Sequence, residues 1–426
     1  MRIQLVSSFL DIYMPTNGDL VCGEWPNLWP SMLGRSEALD ATIYGYCAAF
    51  LGSTTKDRSL MHQSQALYGR GIRYLLNTTR QAARIKDEAV LVAVLLSKID
   101  VSCTPPNAWE AVIDMLQMFN PMSGMGWASH MLGSIELLRL RGPPTEGKTM
   151  NAGLWQLLRF TAIATAISSR KSLFLALPGW NGIHLPGTTH PLVNELLDIA
   201  VHLPGLLEEF DWLVNFVPQS LYLPYPNPPA KYGMHLRRNC SWVGIKLQQW
   251  YTKLQSTIIG PLFWPDVADV TLKAPFNTSL NFPTLHIGQL HLFYWAYQII
   301  LQRTAIALRQ LAKDSLRISH TLSNAEHEAV GDYCASQICC SLPFFLRKDI
   351  GGVAAQALMW PLAVAMRFYS DRITVDAAAR QRNSWCDETS ESLSEQGYSL
   401  CKNFLLLEKR NYSDTSGLGP YIKHHL

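Results

Sequence analysis

The chain reads as an all-α protein, a large bundle of roughly twelve or more helices forming a single domain over residues 1–426. Three observations carry that reading. Apolar residues recur at three- and four-residue steps along many segments, as a helix with one buried face requires. Capping residues, glycine or proline bound those segments. No two adjacent alternating runs with a hairpin turn between them occur, and no repeat of fixed period stands out.

Residues 2–13 predict a first helix, with Leu5, Phe9 and Ile12 on one side and Pro15-Thr16-Asn17-Gly18 ending it. An aromatic, proline-containing connection with Trp25 and Trp29 follows, from Gly23 to Gly34. Glu37 to Gly52 reads as a buried helix rich in small residues, and Ser59 to Arg80 as an amphipathic one with Leu67, Gly71, Leu75 and Thr78 in line. Asp87 can cap the segment 88–98, which is apolar all round and so belongs in the middle of a bundle. Asn107 and Glu110 have the spacing of a capping box for another helix.

The stretch from His130 to Trp180 predicts an αα-hairpin. Met131, Ser134, Ile135, Leu138 and Leu140 give its first helix an apolar face, and Gly142-Pro143-Pro144 stops it. Asn151 can cap the second, whose inward face would carry Leu154, Leu158, Ile163 and Ile167, before Pro178-Gly179 breaks the chain.

Two short helices interrupted by Pro204-Gly205 are predicted between His190 and Phe216. The proline-dense run 218–229 reads as an extended connection, and a soft subdivision of the domain is placed at 218–234. Helix resumes over 235–259, with Val243, Leu247, Trp250 and Leu254 as its stripe, and short extended pieces fill 260–283. Leu285 to Asp314 is the longest periodic run, marked by Phe293, Tyr297, Ile300, Thr304 and Leu308, and is expected to be the spine of the C-terminal half. Ser323 and Glu326 form a capping box for a helix reaching Leu342. Gly351-Gly352 opens another that Pro361 kinks or splits, and the last helices run from Val375 to Glu408 with a break at Gly397.

Composition narrows the function classes. Hydrophobic residues at 48% place the chain among globular proteins. Charged residues at 16% are few, so the protein either buries much of itself or offers apolar surface to partners. A net charge of +3 without any block of like charge predicts no direct contact with nucleic acid. Nine cysteines without regular spacing or a Cys-x-x-Cys predict buried free thiols in a reducing compartment, not a disulfide framework or a zinc site. The apolar run 353–366 falls short of a membrane span, and no membrane association is expected.

Catalytic and cofactor motifs are not found. Ser123-Gly124-Met125-Gly126 lacks the glycine before a nucleophilic serine, and His327-Glu328 lacks the second histidine of a zinc-protease helix. Gly69-Arg70-Gly71 lacks the third glycine of a dinucleotide fingerprint. Asp266 and Asp269 lack the further acid of a metal-diphosphate site. His130 reads as a packing residue, and the thirteen tryptophans as core and hinge packing. No catalytic, cofactor-binding or metal-ligating residue is therefore assigned, and no cofactor is expected.

The wording of the hairpin is more specific than its physics. His130, then GSIELLRLRGP, a short loop, a helix ending in basic residues and Leu177-Pro178-Gly179-Trp180 resemble the regulatory domain of fungal zinc-cluster transcription factors. RIQLVSSFLDIYMP with Trp29, HQSQALYGRGIRYLLNTTRQ with KDEAVLVAVLLSKID, and YCASQICCSLPFFLRKDIGG with WPLAVAMRFY are similar to other helices of that family, in the expected order. The resemblance implies an all-helical regulatory domain. The six-cysteine zinc module that family members begin with is not seen ahead of it, so the chain is similar to finger-less regulators of fungal secondary-metabolite clusters, such as that of the trichothecene cluster.

Three functions follow as expectations. The first is a nuclear regulator of biosynthetic genes that acts through protein partners, a DNA-binding factor or the transcription machinery. A small-molecule effector and homo- or heterodimers are compatible with it. The second is a cyclase-like enzyme evolved from the regulatory domain. The third is a zinc-cluster factor whose upstream exon is missing from the gene model.

Overall fold

In a computed structural model of the chain, thirteen helices of ten residues or more account for nearly all regular structure among the described residues, which are 80% helical. The structure describes residues 2–14, 25–80, 87–102, 126–144, 150–186, 191–220, 228–266, 274–315, 323–374 and 376–395. The helices are α1 (Arg2–Tyr13), α2 (Glu37–Thr55), α3 (Arg58–Thr79), α4 (Glu88–Ser102), α5 (Gly126–Arg141), α6 (Ala152–Ser169) and α7 (Pro191–Ala200). They continue as α8 (Leu203–Ser220), α9 (Pro228–Thr257), α10 (Leu285–Ser315), α11 (Asn324–Cys340), α12 (Gly351–Ser370) and α13 (Ala377–Glu395). A single antiparallel ladder pairs β1 (Trp264–Asp266) with β2 (Ser279–Asn281), Pro265 opposite Leu280.

Local chemistry sets most helix ends where the sequence signals them. Asp57 Oδ1 accepts from the amides of Ser59 and Leu60, Asn151 Oδ1 from Leu154, and Ser323 with Glu326 closes a reciprocal capping box. Gly142 ends α5 with φ +85°, and Lys56 and Arg170 close α2 and α6 in the left-handed region. Buried apolar residues then join into one continuous core. α2 packs broadly on α3 and α4, and α10 on α11 and α12, while α6 bridges to α5, α7 and α8. α10 is buried from Leu285 to Gln302, as expected of a spine.

Several expectations need correction. The hairpin helix α5 packs mainly against α4 rather than against α6, and Leu140 is exposed, because α4 is apolar all round and offers α5 a continuous apolar surface. The break before α8 falls at Val201-His202. Pro204-Gly205 instead sits in the first turn of α8, where proline's missing amide costs nothing. The run 218–229 is not extended throughout, since α8 continues to Ser220 and α9 begins at Pro228. Of the two alternatives for Pro361, the split is excluded, since it lies inside one continuous helix, α12. Residues 348–370 are in fact long and apolar enough to cross a membrane by length and composition, but 78% of that window is buried, as in the core helix of a bundle. The capping box at Asn107 and the break at Gly397 lie outside the described residues.

A polar knot holds the end of the hairpin. Arg159 of α6 is wholly buried, pairs with Asp198 of α7, and stacks over Trp155 at 5.8 Å. Asp198 also takes the Gly182 amide at 3.3 Å and faces His184 Nε2 at 2.8 Å, while Trp155 Nε1 donates to the Ile183 carbonyl at 3.0 Å. The loop after Leu177-Pro178-Gly179-Trp180 is thus fastened to two helices by charge rather than by apolar packing alone.

His291 of α10 sits in an aromatic box of Tyr251, Phe263, Phe282 and Trp295, with ring centroids 5.2–5.9 Å away. Its Nδ1–H donates to the Ile287 carbonyl at 2.8 Å, and Nε2 has no hydrogen-bond partner. Burial pushes its pKa down to about 4. The native state thus refuses a proton that the unfolded chain accepts below its ordinary pKa of about 6.5. Above that pH the group is neutral in both states and changes nothing. As pH falls toward 4 the penalty grows to roughly 3 kcal/mol, then stops growing. Urea titrations between pH 4 and 7 should show this loss in the wild type, and His291→Leu should remove most of it. Parallel pH profiles for the two proteins would refute the assignment.

Candidate functional site

α9 is the most charge-biased element of the fold. Its thirty residues hold five lysines and arginines and no acid. The whole chain is only +3, so the remainder is slightly acidic. Leu236, Cys240, Val243, Leu247, Trp250 and Leu254 form the buried stripe that fixes the helix. Trp250 Nε1 donates to the Leu192 carbonyl at 2.9 Å, and Lys253 Nζ reaches both Glu195 oxygens at 2.6 and 2.8 Å. Gly244 lets α10 come close, since a Cβ there would meet Leu301 at 3.3 Å. Arg237 turns inward toward the Leu308 carbonyl, and burial with the nearby charge of Arg309 lowers its pKa.

The opposite face stays open. Met234, Arg238, Trp242 and Ile245 recur at helical spacing along it, with Met234 54%, Trp242 43% and Ile245 57% exposed. Trp212 of α8 and Tyr232, both exposed, extend the patch, their rings edge to face at 4.9 Å. Arg238 and Lys246 flank the apolar residues and are exposed, while the other described cations of the helix are engaged inward or by Glu195. Apolar patches rimmed by charge mark contact sites. Among the described residues the stripe carries two such cations, Arg238 and Lys246, fewer than the several phosphate contacts of a typical nucleic-acid surface. The arrangement suits the apolar face of a helix whose flanking residues are acidic.

The residues weighed on sequence grounds fall elsewhere. Asp266 accepts from Asn281 Nδ2 at 2.7 Å across the ladder. His327 Nδ1 meets Gln302 Oε1 at 2.5 Å, and Glu328 pairs with Arg372. Gly71 sits on α3 against Thr42, where a Cβ would come within 2.9 Å, so it serves helix packing. Among the described residues no group of three or more His, Cys, Asp and Glu could hold a metal. Residues 123–125, Asp269 and the side chain of His130 lie outside the described residues. Trp29, Trp155, Trp250, Trp295 and Trp360 are core residues, but Trp212, Trp242 and Trp264 are exposed, which packing alone does not explain.

Burial of the thiols follows the cysteine reading. Cys47, Cys240, Cys334, Cys339 and Cys386 are buried and in no disulfide, and burial pushes Cys240 and Cys334 up to about 12.

No family model matches the chain, and no solved structure matches it. An uncharacterized protein of Emericella nidulans is similar over 151 residues at 23% identity, covering 35% of this chain and 28% of that protein. The matched region is thus less than a third of the relative's own length.

Proposed function

We propose that the chain is a regulator of fungal secondary-metabolite genes, acting in the nucleus by holding an acidic amphipathic helix of a partner protein on α9. The observation that carries the reading is the exposed stripe Met234, Arg238, Trp242 and Ile245 on a helix without acids. The ordered resemblance to the regulatory domain of zinc-cluster factors supplies the regulatory role, and the partly similar fungal protein is compatible with that source. The partner is a DNA-binding factor or a component of the transcription machinery.

The test is genetic. Deleting the gene should lower transcripts of the neighbouring biosynthetic genes, and the wild-type gene should restore them. A gene carrying Arg238→Glu and Ile245→Asp should not restore them although its product accumulates normally, because both changes lie on the solvent side of α9. Unchanged transcripts with an accumulating intermediate would point to an enzyme and sink the proposal. Full restoration by the double variant would sink the assigned surface.

A further inference from the structure

A cleft of about 670 Å³ opens where the turn after α6 meets α8 and α9. That volume suits a drug-sized molecule. Phe174, Leu177, Leu206 and Trp242 give it apolar walls, and Arg139, His202, Glu209 and Asn239 supply polar atoms.

The charges among these groups are not balanced. Arg139 is already held on two points by Glu136, Nε to Oε2 at 2.9 Å and Nη2 to Oε1 at 2.6 Å. His202 is kept neutral by burial, which outweighs the pull of Asp198, and its Nε2 lies 3.3 Å from Asn181 Nδ2. Ser172 gives its amide to Glu208, and Lys171 pairs with that same carboxylate outside the cleft. Glu209 is exposed, and its charge is close enough to push the Cys240 thiol further up. Its carboxylate is the one formal charge in the lining that no described side chain neutralises. Trp242 lines the same cleft, its ring set at right angles to that of His202 with centroids 5.1 Å apart, and is still 43% exposed.

A carboxylate and a partly open indole lining one apolar cleft recognise a positive charge on an apolar body. The carboxylate offers ion pairing, and the ring face adds cation–π attraction. We infer that this cleft binds an organic ammonium, an amine-bearing metabolite whose hydrophobic part lies on Phe174, Leu177 and Leu206. A carboxylate ligand would meet Glu209 without a free cation to answer it, because Arg139 is engaged. The cleft shares Trp242 with the exposed stripe of α9, but its carboxylate lies on α8, and the test uses the protein without a partner.

Calorimetry on the full-length protein with 2-phenylethylammonium chloride tests it, beside 3-phenylpropionate as an anion of similar size and 2-phenylethanol as a neutral match. The cation should bind, with affinity at least about tenfold above either comparator, the scale of one ion pair plus one cation–π contact. Glu209→Gln, an exposed and nearly isosteric change, should erase that preference while leaving the thermal midpoint in place. Trp242→Leu should weaken the cation more than the neutral alcohol. The inference is overturned if no probe binds at millimolar concentration or if the three bind alike. It is also overturned if Glu209→Gln, folded by circular dichroism, keeps the wild-type preference.

Discussion

Asp198→Ala should unfold with about 3–5 kcal/mol less free energy than the wild type, the usual result of stranding one member of a buried ion pair. Its partner Arg159 has a side chain only 2% exposed and belongs to the middle of α6, so it cannot swing out to water. Without the carboxylate, the guanidinium loses the charge of Asp198, while the Asn194 amide oxygen at 3.4 Å and the Trp155 ring beside it are uncharged. The Gly182 amide and His184 lose an acceptor at the same time. Replacing both charges, as Arg159→Leu with Asp198→Leu, should recover much of the loss, because apolar pairs of similar volume often match buried ion pairs. Urea unfolding followed by circular dichroism measures both. A single-variant loss below about 1 kcal/mol, the value of an exposed pair, would show that water already screens the knot.

Gly351→Ala should cost more than about 2 kcal/mol, which is large for one added methyl group. Two effects combine. The residue has φ +74°, where a side chain is strained by itself. The new Cβ would also lie 2.5 Å from the Tyr13 carbonyl oxygen and 2.9 Å from the Met14 carbonyl group, which are backbone atoms that cannot rotate away. The end of α1 must therefore retreat from the start of α12, taking Phe9 and Tyr13 away from Tyr46 and Phe50. Thermal unfolding reads the effect, and an unchanged midpoint would mean that α1 is not held there. Gly352→Ala, whose Cβ would meet the Phe50 ring at 2.8 Å at an ordinary backbone angle, should cost less because a ring can shift.

Helix identity was legible wherever the determinant is local. The caps at Asp57, Asn151 and Ser323 and the stripe Val243, Leu247, Trp250 and Leu254 each lie within one or two turns of chain. What depends on a distant partner was not. Nothing near α5 says that α4 rather than α6 will cover it, and the two-stranded ladder pairs residues 264–266 with 279–281 across twelve intervening residues. Whether Trp242 is core or surface depends on what α8 and the turn after α6 leave uncovered, since its spacing fits either. The cleft collects residues from 139 to 243, and its charge imbalance depends on Glu136 having taken Arg139, which no motif records.

The contact between Tyr13 and α12 has a consequence for how the protein is made. Tyr13 donates its hydroxyl to Gln356 Oε1 at 2.6 Å across 343 residues of chain, and Gln356 Nε2 in turn donates to Tyr46. Helix α1 therefore waits for residues synthesised 343 positions later before this side of it is covered. Closing so long a loop carries a high entropic cost, and chains rich in such distant contacts fold slowly. A nascent chain stopped before residue 351 would present Phe9, Tyr13 and Phe50 to solvent, a surface that chaperones bind.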